Sequence, residues 1–92
     1  MYLKVIPIEH TIETYSIYYY EKKSNSNAHV AGISFYNNQN QYLGNMSFFK
    51  EGKRLSNNYV HENFTPKRIF IMAHENQMPG VVDMLRNENP SV

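Results

Sequence analysis

The chain contains no cysteine. That removes disulfides, thiolate nucleophiles, iron–sulfur clusters and cysteine-ligated zinc together, and leaves stability to packing. Long apolar runs are missing as well: no segment approaches the roughly 18 residues that a membrane-spanning helix needs. The first ten residues, MYLKVIPIEH, lack the apolar h-region of a secretory signal. The expectation is a cytoplasmic protein without membrane association. Charge of one sign is lacking too. Nine Lys and Arg stand against eight Asp and Glu, a formal net charge of +1, so the field of the whole molecule neither drives nucleic-acid binding nor forbids it. Only local clustering of cations matters.

Catalytic and cofactor motifs are absent in the same way. The chain has no Gly-x-Gly-x-x-Gly and no P-loop to cradle phosphates, and GISFY around Ser34 is not the strained Gly-x-Ser-x-Gly elbow of a serine nucleophile. No cofactor is expected, and no enzyme. The histidines are His10, His29, His61 and His74, the last two each followed by a glutamate, Glu62 and Glu75. None forms a His-x-x-x-His pair, and adjacent His and Glu in an extended chain point to opposite faces, so no metal site is expected. HENFTP, His61 to Pro66, returns as HENQMP, His74 to Pro79. In both copies the Asn precedes a Pro by three residues at the start of an ordered element, which reads as turn chemistry used twice and not as a duplicated ligand set. In the second copy Asn76 is placed to cap a helix whose first turn holds Pro79.

What is present is enough to fold. A hydrophobic fraction of 41% and an aromatic fraction of 14% supply the apolar area that disordered chains lack, and 92 residues fill one domain, 1–92, with room for a single site or surface. Abundant Asn, Lys, Ile and Tyr suggest an AT-rich coding sequence, as in many bacterial, phage or protist genomes, and a bacterial or phage origin is the expectation.

From Tyr2 to Lys23 the chain is rich in β-branched and aromatic residues and reads as two strands, an edge strand over Tyr2–Ile8 and a second over Ile12–Lys22, since Pro7 cannot donate to a ladder. SNSN, Ser24 to Asn27, reads as a turn or short loop. From His29 to Tyr36, Ala31, Ile33 and Phe35 alternate with Gly32 and Ser34. After the NNQNQ turn, Tyr42, Met46 and Phe48 are placed on one face of a partner strand in which Gly44 leaves a gap. LSNNYVHENFT shows neither period and reads as an exposed connection. Ile69 to Met72, with Ala73 beyond, suit a central strand covered on both faces. Met78, Val81, Val82 and Leu85 recur at helical spacing, so a helix covers one side of the sheet. The fold class is α+β: an antiparallel meander of about four or five strands with one short C-terminal helix packed on it.

The candidate surface starts in YSIYYYEKK, Tyr15 to Lys23. Alternation puts Tyr18 and Tyr20 with Ser16 on one face and Tyr15, Ile17 and Tyr19 on the other; one set must be core, and the other is free to act as a platform. In a meander, Lys22 and Lys23, then Lys50, Lys53 and Arg54, then Lys67 and Arg68 fall on one rim of the sheet, with NNQNQ and His74-Glu75 at the opposite end. Tyrosine is a rigid amphipathic anchor. The expected function is therefore a non-enzymatic protein-binding module, such as an inhibitor or accessory factor, acting through Tyr18, Tyr20 and the basic rim. The alternative is a single-stranded nucleic-acid binder stacking bases on the same tyrosines. Homo-oligomerisation is compatible with either.

Overall fold

The structure, a computed structural model, describes residues 2–5, 8–20 and 28–87. Strands β1 (Tyr2–Val5) and β2 (Ile8–Thr11) form an antiparallel hairpin of their own, with Tyr2 opposite Thr11 and Val5 opposite Ile8. The segment expected to run as one edge strand over Tyr2–Ile8 therefore contributes to two strands, β1 ending at Val5 and β2 starting at Ile8. The remaining strands are β3 (Thr14–Tyr19), β4 (His29–Tyr36), β5 (Tyr42–Phe49), β6 (Tyr59–His61) and β7 (Arg68–His74), in the order β3-β4-β5-β7-β6. Helix α1 (Met78–Asn87) follows a 3-10 turn at Glu75–Gln77. This is the expected α+β architecture, a mostly antiparallel five-stranded sheet with one short terminal helix on it.

The sheet is not a meander. β7 pairs with β5 in parallel, Gly44 opposite Ile69 and Phe49 opposite His74. It pairs with β6 antiparallel, Tyr59 opposite Phe70. The chain leaves β5, steps past a vacant position, descends as β6 and rises as β7 in the gap. Tyr59–His61 lies within the stretch expected to be an exposed connection. At three residues it is too short to show a period.

Local chemistry explains the β4–β5 hairpin. Asn37 Oδ1 accepts from the backbone N–H groups of Gln39 and Gln41, both at 2.9 Å, while Asn40 takes φ +60°, a conformation Asn tolerates better than most residues. Leu43 is the extra residue of a bulge, since Phe35 pairs with Gly44 and Tyr36 with Tyr42. The bulge sends Tyr42 to the face opposite Met46 and Phe48, correcting the expected grouping of the three. Gly44 is no mere gap: its φ is +124°, and a Cβ there would strike the Ile69 carbonyl where β5 and β7 meet.

One face of the sheet is the core. Ala31, Ile33, Phe35, Leu43, Met46, Phe48, Ile69 and Ala73 are buried on it, closed by Met78 and Leu85 of α1 with Val81 and Val82 alongside. Each fully buried large side chain contributes roughly 1.5–3 kcal/mol of transfer free energy. The helical stripe read from spacing is thus the stripe that docks. Its start differs from expectation: the Asn76 side chain does not cap, and instead the Asn76 backbone N–H donates to Glu51 Oε1 at 3.3 Å. His74 N–H donates to Gln77 Oε1 at 2.9 Å.

The two edges differ. Beyond the end of β6, the outward backbone donors of β7 are occupied by side chains, Met72 N–H by Asn58 Oδ1 at 2.8 Å and His74 N–H by Gln77. Such capping blunts an edge against further pairing. Among the described residues β3 pairs only with β4.

Candidate interaction face

Period-two alternation carried across the register assigns every strand residue to the core face or to its reverse. Helix α1 covers the core face and not this one. β3 sends Thr14, Ser16 and Tyr18 to it and β4 sends His29, Gly32, Ser34 and Tyr36. β5 contributes Tyr42, Asn45, Ser47 and Phe49, and Phe70, Met72, His74, Tyr59 and His61 come from β7 and β6. Arg68 is the one charged side chain among the described strand positions of this face. The reading of β7 as covered on both faces is therefore corrected: Ile69 and Ala73 are buried, but Phe70 and Met72 on the reverse are only half-buried.

The face is closed by its own side chains lying flat. Tyr18 lies across Gly32, where a Cβ would run into the phenol ring. Beneath it Asn45 and Ser47, 9% and 8% exposed, form a polar centre. Asn45 Nδ2 donates to the Tyr18 hydroxyl at 2.7 Å and to Ser47 Oγ at 3.2 Å, and the Tyr42 hydroxyl donates to Asn45 Oδ1 at 3.3 Å. The buried amide is thereby satisfied, as burial requires. Burial, with the neighbouring Tyr20 adding to it, raises the Tyr18 pKa, and burial does the same for Tyr42; both hydroxyls are neutral hydrogen-bonding groups at neutral pH.

Aromatic clusters flank this centre. On one side His29 stacks on Phe49, centroids 4.8 Å apart at 27°, and meets Tyr20 at 4.5 Å, with Tyr18 edge-on to Tyr20 at 5.5 Å. Burial lowers the His29 pKa, so its imidazole is neutral at pH 7. On the other side Tyr59 stacks on Phe70 at 4.9 Å and 19°, His61 stands edge-on to Phe70 at 5.9 Å, and the Arg68 guanidinium lies 3.6 Å above the Phe64 ring and 4.9 Å from Tyr42. Such geometry favours the cation and holds it flat against the sheet.

Tyr18 and Tyr20 do share this face, Tyr20 exposed and Tyr18 half-buried, while Tyr15 and Ile17 pack on the core. The basic rim does not form. Lys22 and Lys23 lie outside the described residues. Lys50 follows the end of β5, and Lys53 is anchored beside it by a hydrogen bond between His74 Nε2 and its carbonyl at 2.8 Å, with Arg54 next in the chain. The parallel register puts Lys67 and Arg68 at the other end, level with Gly44 and near the NNQNQ turn, and His10 Nε2 bonds the Lys67 carbonyl at 2.6 Å. His74-Glu75 stands with Lys50 and Lys53, not opposite them. Only a meander brings these groups together.

The Tyr59–His61–Phe64–Arg68–Phe70 cluster was not anticipated. The apolar run Ile69–Met72 hid it, although Arg68 and His74 share parity with Phe70 and Met72 and so mark that face as the wetter one. Among the described residues no three His, Asp or Glu converge as metal ligands, and no helix is long and apolar enough to cross a membrane. Comparison with known proteins finds no matching family model, no matching curated protein and no matching solved structure, so a functional reading rests on the face itself.

Proposed function

We propose that the protein is a non-enzymatic interaction module of the cytoplasm that binds another protein through this open face, as an inhibitor or accessory factor does. The observation that carries the reading is composition by position: Tyr, Phe and His rings around one hydrogen-bonded amide, with hydroxyl residues, a glycine and a methionine between them, one arginine and no carboxylate among the described strand positions. Interface centres are depleted of charge and enriched in Tyr, Phe and Arg, the residue types that anchor binding. A nucleic-acid platform needs cations beside its rings to meet phosphate. Here Lys50 and Lys53 are separated from Lys67 and Arg68 by the length of the sheet. The ring nitrogens of His10 and His74 are engaged by main-chain carbonyls, which suits structural roles better than acid–base ones. The partner that fits is a weakly charged, largely apolar segment with amide or hydroxyl groups facing Asn45 and the tyrosine hydroxyls.

The test is photocrosslinking in the source cells from a benzoyl-phenylalanine at Tyr59, with the same group at Met84, exposed on the helix side, as control. Protein adducts from position 59 that fail from position 84, and that Phe70→Ala weakens by about tenfold or more, are expected. Equal adducts from both sides, or stacking of single-stranded DNA or RNA on the purified protein at low salt, would replace this reading.

A further inference from the structure

The β3 edge has the properties of a self-pairing strand. Tyr20 N–H donates to the Val30 carbonyl at 3.0 Å. By alternation the main-chain groups of Thr14, Ser16 and Tyr18 face β4, and those of Tyr15, Ile17 and Tyr19 face outward. Unlike β7, this edge carries no side-chain caps on its main-chain donors among the described residues. Its six residues, TYSIYY, also contain no Pro, Lys or Glu of the kinds that discourage edge pairing, and Tyr19 is 74% exposed.

We infer that two copies of this chain associate through antiparallel β3–β3 pairing about a twofold axis at Ile17. The register follows from the phase of the outward groups. Ile17 meets its own copy and Tyr15 meets Tyr19 of the second copy as hydrogen-bonded pairs. Ser16 then lies opposite Tyr18, and Thr14 opposite Tyr20, as the closer non-hydrogen-bonded pairs. From Thr14 to Tyr20 every outward donor finds an outward acceptor, the facing side chains are aromatic or β-branched apart from Ser16, and no charges meet; one step further the register sets Glu13 against Glu21, so the pairing ends at these seven residues. A foreign strand satisfies the same backbone, but it matches these pairs only if it repeats their sequence. The second copy supplies that match by symmetry. The result is one continuous ten-stranded sheet that presents two interaction faces on the same side. An edge contact of this size lies at the small end of specific interfaces, so a dissociation constant on the order of micromolar is expected.

Sedimentation from low micromolar to near-millimolar concentration, with amide hydrogen exchange on the same samples, tests this. Mass should rise towards a dimer, and exchange at Tyr15, Ile17 and Tyr19 should slow with concentration while Ser16 and Tyr18 stay protected throughout. Tyr19→Pro removes an outward donor without touching the bond from Tyr20, and T14K/Y20K sets lysines opposite each other twice. Each should weaken association at least about a hundredfold with the far-ultraviolet spectrum unchanged. A monomer at every concentration, or a dimer indifferent to both variants, overturns the inference. So does protection of these amides by a different protein alone.

Discussion

The two faces of the five-stranded sheet come from the same strands and are closed by different means. On the core face, aliphatic and phenyl groups interdigitate under a helix. On the reverse, tyrosines lie along the sheet over a hydrogen-bonded Asn45, leaving ring edges and hydroxyls in water. Phe48 and Phe49 are neighbours in β5, yet one is fully buried and the other partly open in a stack with His29. The contrast separates what holds this chain together from the face proposed to meet a partner: apolar burial is concentrated on the side that α1 covers, and the reverse is closed by hydrogen bonds and ring contacts that stay half in water.

The largest expected effect tests whether the sheet depends on the close approach of β5 and β7. Gly44→Ala puts a methyl group against the Ile69 carbonyl in a backbone conformation that alanine avoids, and should cost roughly 3 kcal/mol or more by denaturant midpoint. Gly32→Ala on the reverse meets only the Tyr18 ring, which can lift, so a loss of about 1 kcal/mol with greater exposure of Asn45 is expected. Equal losses would mean that the tyrosine lid is as rigid as the backbone. Phe48→Ala should cost about 3–5 kcal/mol and Phe49→Ala less than half as much. Leu85→Ala, at the docked end of α1, should cost about 2–5 kcal/mol, and a neutral result would undock the helix. The smallest effect is the pH response of His29. Its folded pKa is lowered by burial, so the unfolded chain takes up the proton first. Stability should be complete above about pH 6.5 and decline as pH falls below that value towards the folded pKa. His29→Phe should flatten that slope in thermal melts between neutral and mildly acidic buffers.

Much of this division can be read from the sequence, and the failures have specific causes. Alternation in Tyr15–Tyr20 sorts the rings correctly, and the spacing of Met78, Val81, Val82 and Leu85 identifies the docked stripe, because both are periodicities that a single element obeys alone. The direction of β7 is different in kind. Nothing within KRIFIMAH distinguishes a strand beside its predecessor in parallel from one that turns back. The decision lies in the crossover and in β6, whose three residues are too few for a pattern. The basic rim fell with that assumption. The bulge at Leu43 misled locally, since one inserted residue exchanges faces for Tyr42 without leaving a mark in composition.

The placement of β7 between two strands that precede it also sets an order in time. As the chain is made, β3, β4 and β5 can zip together by local hairpins, but β5 is left with a bare inner edge, and β6 has no neighbour to join. Both wait for the last third of the chain, when one strand enters the slot, satisfies both partners and delivers the helix that seals the core. The topology therefore makes β7 a keystone: a chain stopped before Arg68 lacks the strand that β5 and β6 both pair with, and the residues from Arg68 onward supply that strand and the helix that covers the core.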